Sequence, residues 1–437
     1  MRRLNAEWRH VRFMASLILA LFLVTACGAP ATEEAPPLEG VTVFEGARLI
    51  VGDGSEPIED SVIVIQDGRF IEVGARGQVN APAGADVVDL TGKTVMPAIV
   101  DAHKHAATDR EAIVDQLQRL AYYGIGATIS MGIDDGDLAF QIRGETIPNA
   151  ARLRTAGRGI TMPEEGRSEV PYWVTSEEEA RTAVQENAAK QVDLIKIWVD
   201  DRNGQYEKLT PPLYGAVIDE AHSSNLRVTA HIFALEDAKG LLEAGIDSFA
   251  HSVRDQDVDD EFVAMVQERP NVVLIPNLGG RGVATDMSWL SGTLPADQVA
   301  QLQERSTDNP RAQESFGIQA RNLARLSEAG MTIAFGTDGG TPWQPHVEME
   351  DMVAAGMTPA QVIVAATRNS AEWLELDDAG TVASGKSADF IVLDANPIDD
   401  ITNTRRISDV YLRGTAVERE ALSENWTRET DPSGSDQ

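Results

Sequence analysis

The chain has 437 residues, 43% of them hydrophobic, and a formal net charge of −32. That length exceeds one average domain and accommodates a (β/α)8 barrel, which takes about 250 residues. Such acidity repels phosphate backbones and excludes a nucleic-acid partner, and Cys27, the single cysteine, excludes internal disulfides and any thiolate ligand or nucleophile elsewhere in the chain.

Export signals come first. Arg2, Arg3, Arg9 and Arg12 form a basic stretch, and the apolar run 13–24 is shorter than the about 20 residues that span a bilayer. The segment Leu23-Val24-Thr25-Ala26-Cys27 resembles a bacterial lipobox. That implies a signal peptide over 1–26 and lipidation at Cys27, and Gly28 in place of Asp implies retention in the outer membrane. The chain is thus expected to be exported, to face the periplasm or the cell surface, and to touch the membrane only through its lipid. Residues 1–26 carry net +3, so the mature chain would carry −35, a solvated acidic surface rather than a lure for cations. Residues 27–40, rich in Ala, Pro and Glu, read as a tether.

Short β-type segments follow over 41–94: Val41–Phe44, Arg48–Val51 and Ser61–Gln66, the last turning through Asp67-Gly68 into Arg69–Val73 as a hairpin. Similar segments return over 379–417, at Val382, Phe390–Leu393 and Val410–Arg413. Between them, over 95–378, strands and helices alternate. Strands are expected at Val95–Asp101, Gly126–Met131, Ala151–Ala156, Val192–Val199, Arg227–His231, Ser248–His251, Val272–Ile275 and Thr332–Gly336, with helices such as Pro211–Ser224 and Ala312–Ala329 between them. The fold class is therefore α/β: a (β/α)8 TIM barrel with a small β-sandwich built from both ends of the chain. The stretch Asn277–Pro310 is long enough for a lid or rim over the strand ends, and the polar tail 418–437 is expected to lack structure.

Metal-capable residues end the barrel strands. His103 and His105, at i and i+2 of one strand, face the same side with Cβ atoms about 6–7 Å apart, close enough to share one ion. Lys196 lies in the apolar strand Asp193-Leu-Ile-Lys-Ile-Trp198, where an ammonium is costly unless paired or deprotonated. It either pairs with a core acid such as Asp193 or Asp200, or reacts with CO2 to form a carbamate able to bridge two metals. His231 and His251 each end an apolar strand, and Asp338 follows Phe335-Gly-Thr. Singly, each reads as a hydrogen-bonded core or capping residue. Together, six such groups at the carboxyl ends of barrel strands mark the place where barrel enzymes build their sites.

These residues resemble the metal-dependent amidohydrolase superfamily over about residues 41–415. The motifs are Met96-Pro-Ala-Ile-Val-Asp-Ala-His103-Lys-His105, Leu194-Ile-Lys196-Ile, Thr229-Ala-His231, Phe249-Ala-His251, Phe335-Gly-Thr-Asp338 and Gly385-Lys-Ser-Ala-Asp389. The likeness is to the binuclear group with a strand-4 lysine, the imidazolonepropionase/prolidase-like branch. It implies two divalent cations, zinc first and Mn, Co or Fe also suited. His103, His105 and Asp338 would hold the more buried ion, His231 and His251 the second, with a CO2-derived carbamate on Lys196 bridging them. Ala98 stands where the family usually has Gly, and Lys104 is uncommon between the two histidines but points away from them. Two ions held by four neutral imidazoles and two anions retain positive charge, so a bridging hydroxide exists near neutral pH, and Asp338 would carry its proton to the leaving group.

The expected activity is metal-dependent hydrolysis of an amide or peptide-like C–N bond in a small molecule, by a chain that can also be oligomeric. Lactone or phosphotriester hydrolysis uses the same machinery and is the alternative, and a non-catalytic binding lipoprotein is the second. The related mononuclear deaminases place a Glu three residues after the strand-5 histidine. Here that position is Ala234. Arg254, Asn277 and His346, on segments after strands 6, 7 and 8, are candidate substrate contacts, Arg254 as a bidentate grip on a carboxylate or as an ion pair with the Asp-rich loop after it. His222 falls within a helix and reads as structural.

Overall fold

The computed structural model describes residues 40–427, so Cys27, the export segment and the tether lie outside the described residues. Eight parallel strands close into the barrel: Ile99–Lys104, Ile125–Ser130, Arg152–Thr155, Ile195–Val199, Val228–Ile232, Ser248–Ala250, Val273–Ile275 and Thr332–Ile333. Backbone hydrogen bonds outside the regular ladders join its two sheet arcs. The Ala102 amide donates to the Phe335 carbonyl (2.8 Å) and the Asp193 amide to the Thr155 carbonyl (2.9 Å). Among the described residues no helix is long and apolar enough to cross a membrane.

The sequence run expected as one strand, Val95–Asp101, is two elements. Thr94–Pro97 pairs antiparallel with Phe390–Leu393 and parallel with Val41–Leu49, inside the sheet that joins both ends of the chain. At Ala98 the chain changes partner, its amide bonding the Asp389 carbonyl (3.0 Å), and from Ile99 it pairs with the second barrel strand. The barrel therefore begins at Ile99 rather than 95. Both pieces are buried on both faces, so the run has no period to betray the break.

In the terminal sheet, Val41–Leu49 runs through the two segments read separately, with register shifts near Ala47. The Asp67-Gly68 turn forms as expected, with φ of 50° and 74° joining Ile58–Gln66 to Arg69–Ala75. Phe390 stacks on Tyr411 at 4.6 Å, with Phe44 edge-on to both, so apolar side chains from the two ends of the chain share one core.

Two further features differ from expectation. The excursion 277–310 contains a helix, Ala296–Arg305, and its tip is tucked along the barrel rather than spread over the strand ends. Tyr123 donates its hydroxyl to Thr293 (2.8 Å) beside Gly124, whose carbonyl takes the Ile99 amide at the opening end of the first barrel strand. The segment after Glu418 forms the helix Arg419–Thr427, where Trp426 packs against Tyr122, lies under the Arg119 guanidinium and donates to Asp115 (3.0 Å). Leu422, which is buried, and Trp426 supply apolar anchors that composition averaged away.

Candidate metal centre

His103 and His105 leave the first strand on one side, as the pleat dictates, with ring centroids 5.6 Å apart. Asp338, just past the eighth strand, meets them: its Oδ1 lies 3.0 Å from His105 Nε2 and 3.6 Å from His103 Nε2. One ligand atom from each of these three residues falls within 4.8 Å of the others, a spacing suited to one ion. Asp338 Oδ2 is 3.4 Å from His251 Nε2, and the His251 ring sits 5.1 Å from His103 and 4.6 Å from His231. The five groups form one continuous patch at the carboxyl ends of strands 1, 5, 6 and 8.

Lys196 points into the same patch from strand 4. It is fully buried, and among the described residues its Nζ has no hydrogen-bond partner. The acids that could have neutralised it are engaged elsewhere. Asp193 accepts from Arg143, Arg154 (both 3.1 Å) and the Thr155 amide, and Asp200 accepts from Arg202 (2.7 Å). Burial lowers the lysine to about 7, Asp338 opposing and Arg202 and Arg254 reinforcing the shift. An amine that is neutral near pH 7 is nucleophilic, as addition to CO2 requires. Burial, with the positive charges of neighbouring groups, also holds His103, His231 and His251 well below the usual imidazole range, so their lone pairs are free for a cation. His105 Nδ1 and both nitrogens of His251 are buried without hydrogen-bond partners. Orphaned donors and acceptors packed this closely fit a metal site.

Three residues of the patch hold backbone conformations that side chains avoid: His251 at φ 86°, Asn277 at 46° and Asp338 at 51°. Strain concentrated at one place is a mark of function. Gly336 is needed there too, since a Cβ would come within 2.7 Å of His103 Cβ and 2.9 Å of Asn277 Oδ1.

The substrate contacts expected at Asn277 and His346 are not what these residues make. Asn277 is buried with its amide nitrogen 2.7 Å from His103 Nδ1, while its Oδ1 has no partner. The side-chain amide is interchangeable in orientation. For His103 to bind a cation through Nε2, Nδ1 must carry the proton and Asn277 Oδ1 must accept it. Asn277 would in that case orient His103. His346 is fully buried in the helix Gln344–Ala354, Nε2 donating to the Tyr123 carbonyl (3.0 Å) and Nδ1 3.1 Å from Thr404 Oγ1. It ties the barrel to the terminal sheet and does not reach the patch.

Arg254 does reach it. Its Nη2 lies 3.2 Å from His231 Nε2 and donates to the Ile232 carbonyl (2.8 Å), its Nε is buried without a partner, and Phe233 lies 5.3 Å below the guanidinium. The Asp-rich loop does not neutralise it: Asp255 caps Leu235, Asp257 takes Arg321, and Asp259 takes Lys239. Sequence reasoning missed Arg202 and Glu164. Arg202 donates to Asp200 (2.7 Å) and Glu164 (3.1 Å), and Asp200 Oδ2 lies 2.9 Å from His231 Nε2. Arg202 Nη1 (2.9 Å) and Arg254 Nη2 approach that same nitrogen, so one carboxylate and two guanidinium groups converge on His231 Nε2. The turn-rich Asp200-Asp-Arg-Asn-Gly204 directly after a barrel strand was the available signal. Ala234, where a deaminase has its acid, begins the helix Leu235–Ala244 as its N-cap.

Comparison with known proteins gives the family. The sequence model of the amidohydrolase family matches residues 94–417. The chain is 27% identical over 397 residues to the imidazolonepropionase of Deinococcus radiodurans, covering 82% of this chain and 92% of that one. It is 24% identical over 427 residues to the ochratoxinase of Aspergillus niger, covering 83% and 82%. The solved structure of a Xaa-Pro dipeptidase with bound methionine superposes with a TM-score of 0.69 at 23% identity, covering 86% of this chain and 99% of that one. With these strands, this cluster of histidines and these relatives, the chain belongs to the amidohydrolase family, as a metal-dependent hydrolase of C–N bonds.

Proposed function

We propose that the chain is a two-metal hydrolase of amide or peptide-like bonds in small molecules that carry a carboxylate near the bond cleaved. The observation that carries the two-metal part is Lys196, a buried amine without a partner among four histidines and an aspartate. Carboxylated by CO2 with loss of a proton, it would become an anion able to lie between two divalent cations. His103, His105 and Asp338 would hold one ion, His231 and His251 the other, with Lys196 between; zinc suits the nitrogen and oxygen donors, as would Mn, Co or Fe. Divalent cations bound there supply Lewis acidity, polarising the scissile carbonyl and making the attacking water acidic.

The remaining work falls to the chain. Burial pushes the Asp338 carboxyl up, but the His105 hydrogen bond and the charges of His251, His105 and Lys196 outweigh it and hold it down to about 2. Asp338 is therefore ionised at neutral pH and can receive the proton of the attacking water. Such a weak base gives that proton up readily to a departing amine, which is far more basic. Asn277 would hold His103 in the tautomer that frees Nε2, and Asp200 would hold the His231 ring in place. Arg254, half-buried and without a carboxylate partner among the described residues, would take the substrate's carboxylate over the Phe233 ring.

The test is metal analysis of the purified soluble chain with turnover of N-acyl amino acids and dipeptides against their C-terminal amides, a lactone and a phosphotriester. About two metals per chain and preference for the free carboxylates are expected. Arg254→Met should raise KM for the acids by about 10–100-fold and leave the amides alone, the worth of one or two charge-assisted hydrogen bonds. One tightly bound metal with a fully active Lys196→Ala chain would sink the two-metal reading, and turnover of the lactone or triester alone would replace the bond class. We also propose export and lipidation at Cys27, supported by the segment Leu23–Cys27. The mass of the mature N-terminus checks it.

A further inference from the structure

The mechanism above leaves one buried cation of the patch without a role. Lys104 stands between the two histidines, and the pleat directs it away from them, so it is no ligand. It is only 3% exposed, and a buried ammonium needs partners. Those it has lie on either side of Asp338. Its Nζ donates to the Gly339 carbonyl at 2.5 Å and reaches Thr337 Oγ1 at 3.4 Å. Thr337 and Asp338 are fastened by the first strand at other points as well. The Asp338 amide donates to the His103 carbonyl (2.7 Å), the Thr337 amide to Asp101 Oδ1 (3.1 Å) and the Thr337 hydroxyl to Asp101 Oδ2 (2.8 Å).

Such fastening has a purpose. Asp338 sits at φ 51°, in the left-handed region that a non-glycine residue keeps only when its surroundings impose it. In that conformation its carboxylate spans from His105 (3.0 Å) to His251 (3.4 Å). The eighth regular strand is only two residues long, Thr332–Ile333, and beyond it the segment to Asp338 is held by single backbone bonds to the first strand, Ala102 to Phe335 and Asp338 to His103. The side chains of Asp101 and Lys104 add to that backbone hold on either side of Asp338.

We propose that Lys104 is a positioning residue: by gripping Gly339 and Thr337 it holds Asp338 in the conformation that completes the cation site with His103 and His105. This rests on the reading of Asp338 as a ligand. The competing account makes Lys104 only a counter-charge for buried Asp101.

The experiment measures zinc affinity of the metal-free full-length chain by competition with a chromophoric chelator, for Lys104→Met, Lys104→Gln, Asp338→Asn and the double variants. Lys104→Met should weaken binding at this site by about 10–100-fold, the usual cost of losing a group that orients a ligand. Lys104→Gln, which keeps an N–H donor for Gly339 without the charge, should recover most of that loss. In the Asp338→Asn background Lys104→Met should add little, because the group it positions is gone. The proposal is overturned if Lys104→Met binds zinc as the parent does, if its loss multiplies independently with that of Asp338→Asn, or if Asp101→Asn restores Lys104→Met. Should the Met variant fail to fold, a tenfold or larger loss in the folded Gln variant overturns the proposal equally. Unchanged zinc binding in Asp338→Asn would overturn the ligand reading along with it, whereas a loss there with none in Lys104→Met removes this inference alone.

Discussion

Replacing Lys196 by methionine should make the metal-free protein more stable while removing its activity. Methionine matches the lysine stem in volume and buries no charge. In the fold the ammonium is pushed by burial from 10.5 to about 7. At about 1.4 kcal/mol per pH unit, that gap is worth about 5 kcal/mol. The sign follows from the depressed value: the folded state holds fewer protons than the unfolded one between pH 7 and 10.5, so the cost is absent above that window and complete below it. Relaxation and water entry reduce the realised gain, and about 2–4 kcal/mol at pH 7 is the expectation. Denaturant titration of chelator-treated protein in CO2-free buffer measures it, at pH 7 and again near 10, where the two proteins should converge. Metal analysis of the same variant should fall from about two ions per chain to one or fewer. A metal-free Lys196→Met protein less stable than its parent would show that the amine has a partner after all, and the account of the site as built around an unpaired lysine would fail.

Two further outcomes follow from the corrected residues. His346 is lowered by burial to about 3 against a usual 6.5, so only the unfolded chain takes up its proton between those values and stability falls as pH drops through the window. His346→Gln, which keeps a donor for the Tyr123 carbonyl, should reduce the slope of unfolding free energy between pH 4 and 6 by about 1.4 kcal/mol per pH unit, read from denaturant titrations of metal-free protein; parallel slopes would refute the assignment. Asn277→Leu should cost about 10–100-fold in zinc affinity and raise the KM of no substrate selectively, which separates orientation of His103 from the substrate contact expected of that position.

The metal-capable residues were legible because each ends an apolar run, and a barrel strand that stops in His or Asp has few structural reasons to do so. Lys196 was half legible: its burial could be read from Leu194-Ile-Lys-Ile, but which acids were free to pair with it depends on Arg143, Arg154 and Arg202. His346 misled because its distance along the chain from the eighth strand suits a site loop. Thr404 and Tyr123, its actual partners, are brought to it only by the tertiary fold. The break at Ala98 was hidden by uniform burial, and the helix Arg419–Thr427 by a polar composition in which Leu422 and Trp426 are the apolar anchors. Asn277 and Asp338 carry their message in φ, which residue identity only hints at.

The change of partner at Ala98 has a consequence for the order of assembly. Thr94–Pro97 lies between a strand near the start of the chain and Phe390–Leu393 near its end, and His103 follows five residues after the change. During synthesis the whole barrel emerges before Phe390 exists to flank that strand, so the upstream anchor of the first histidine pair is among the last contacts to form. A nascent chain can close its barrel and still lack one side of that anchor. In this architecture the last strands made complete the sheet that anchors the segment leading into the first histidine pair.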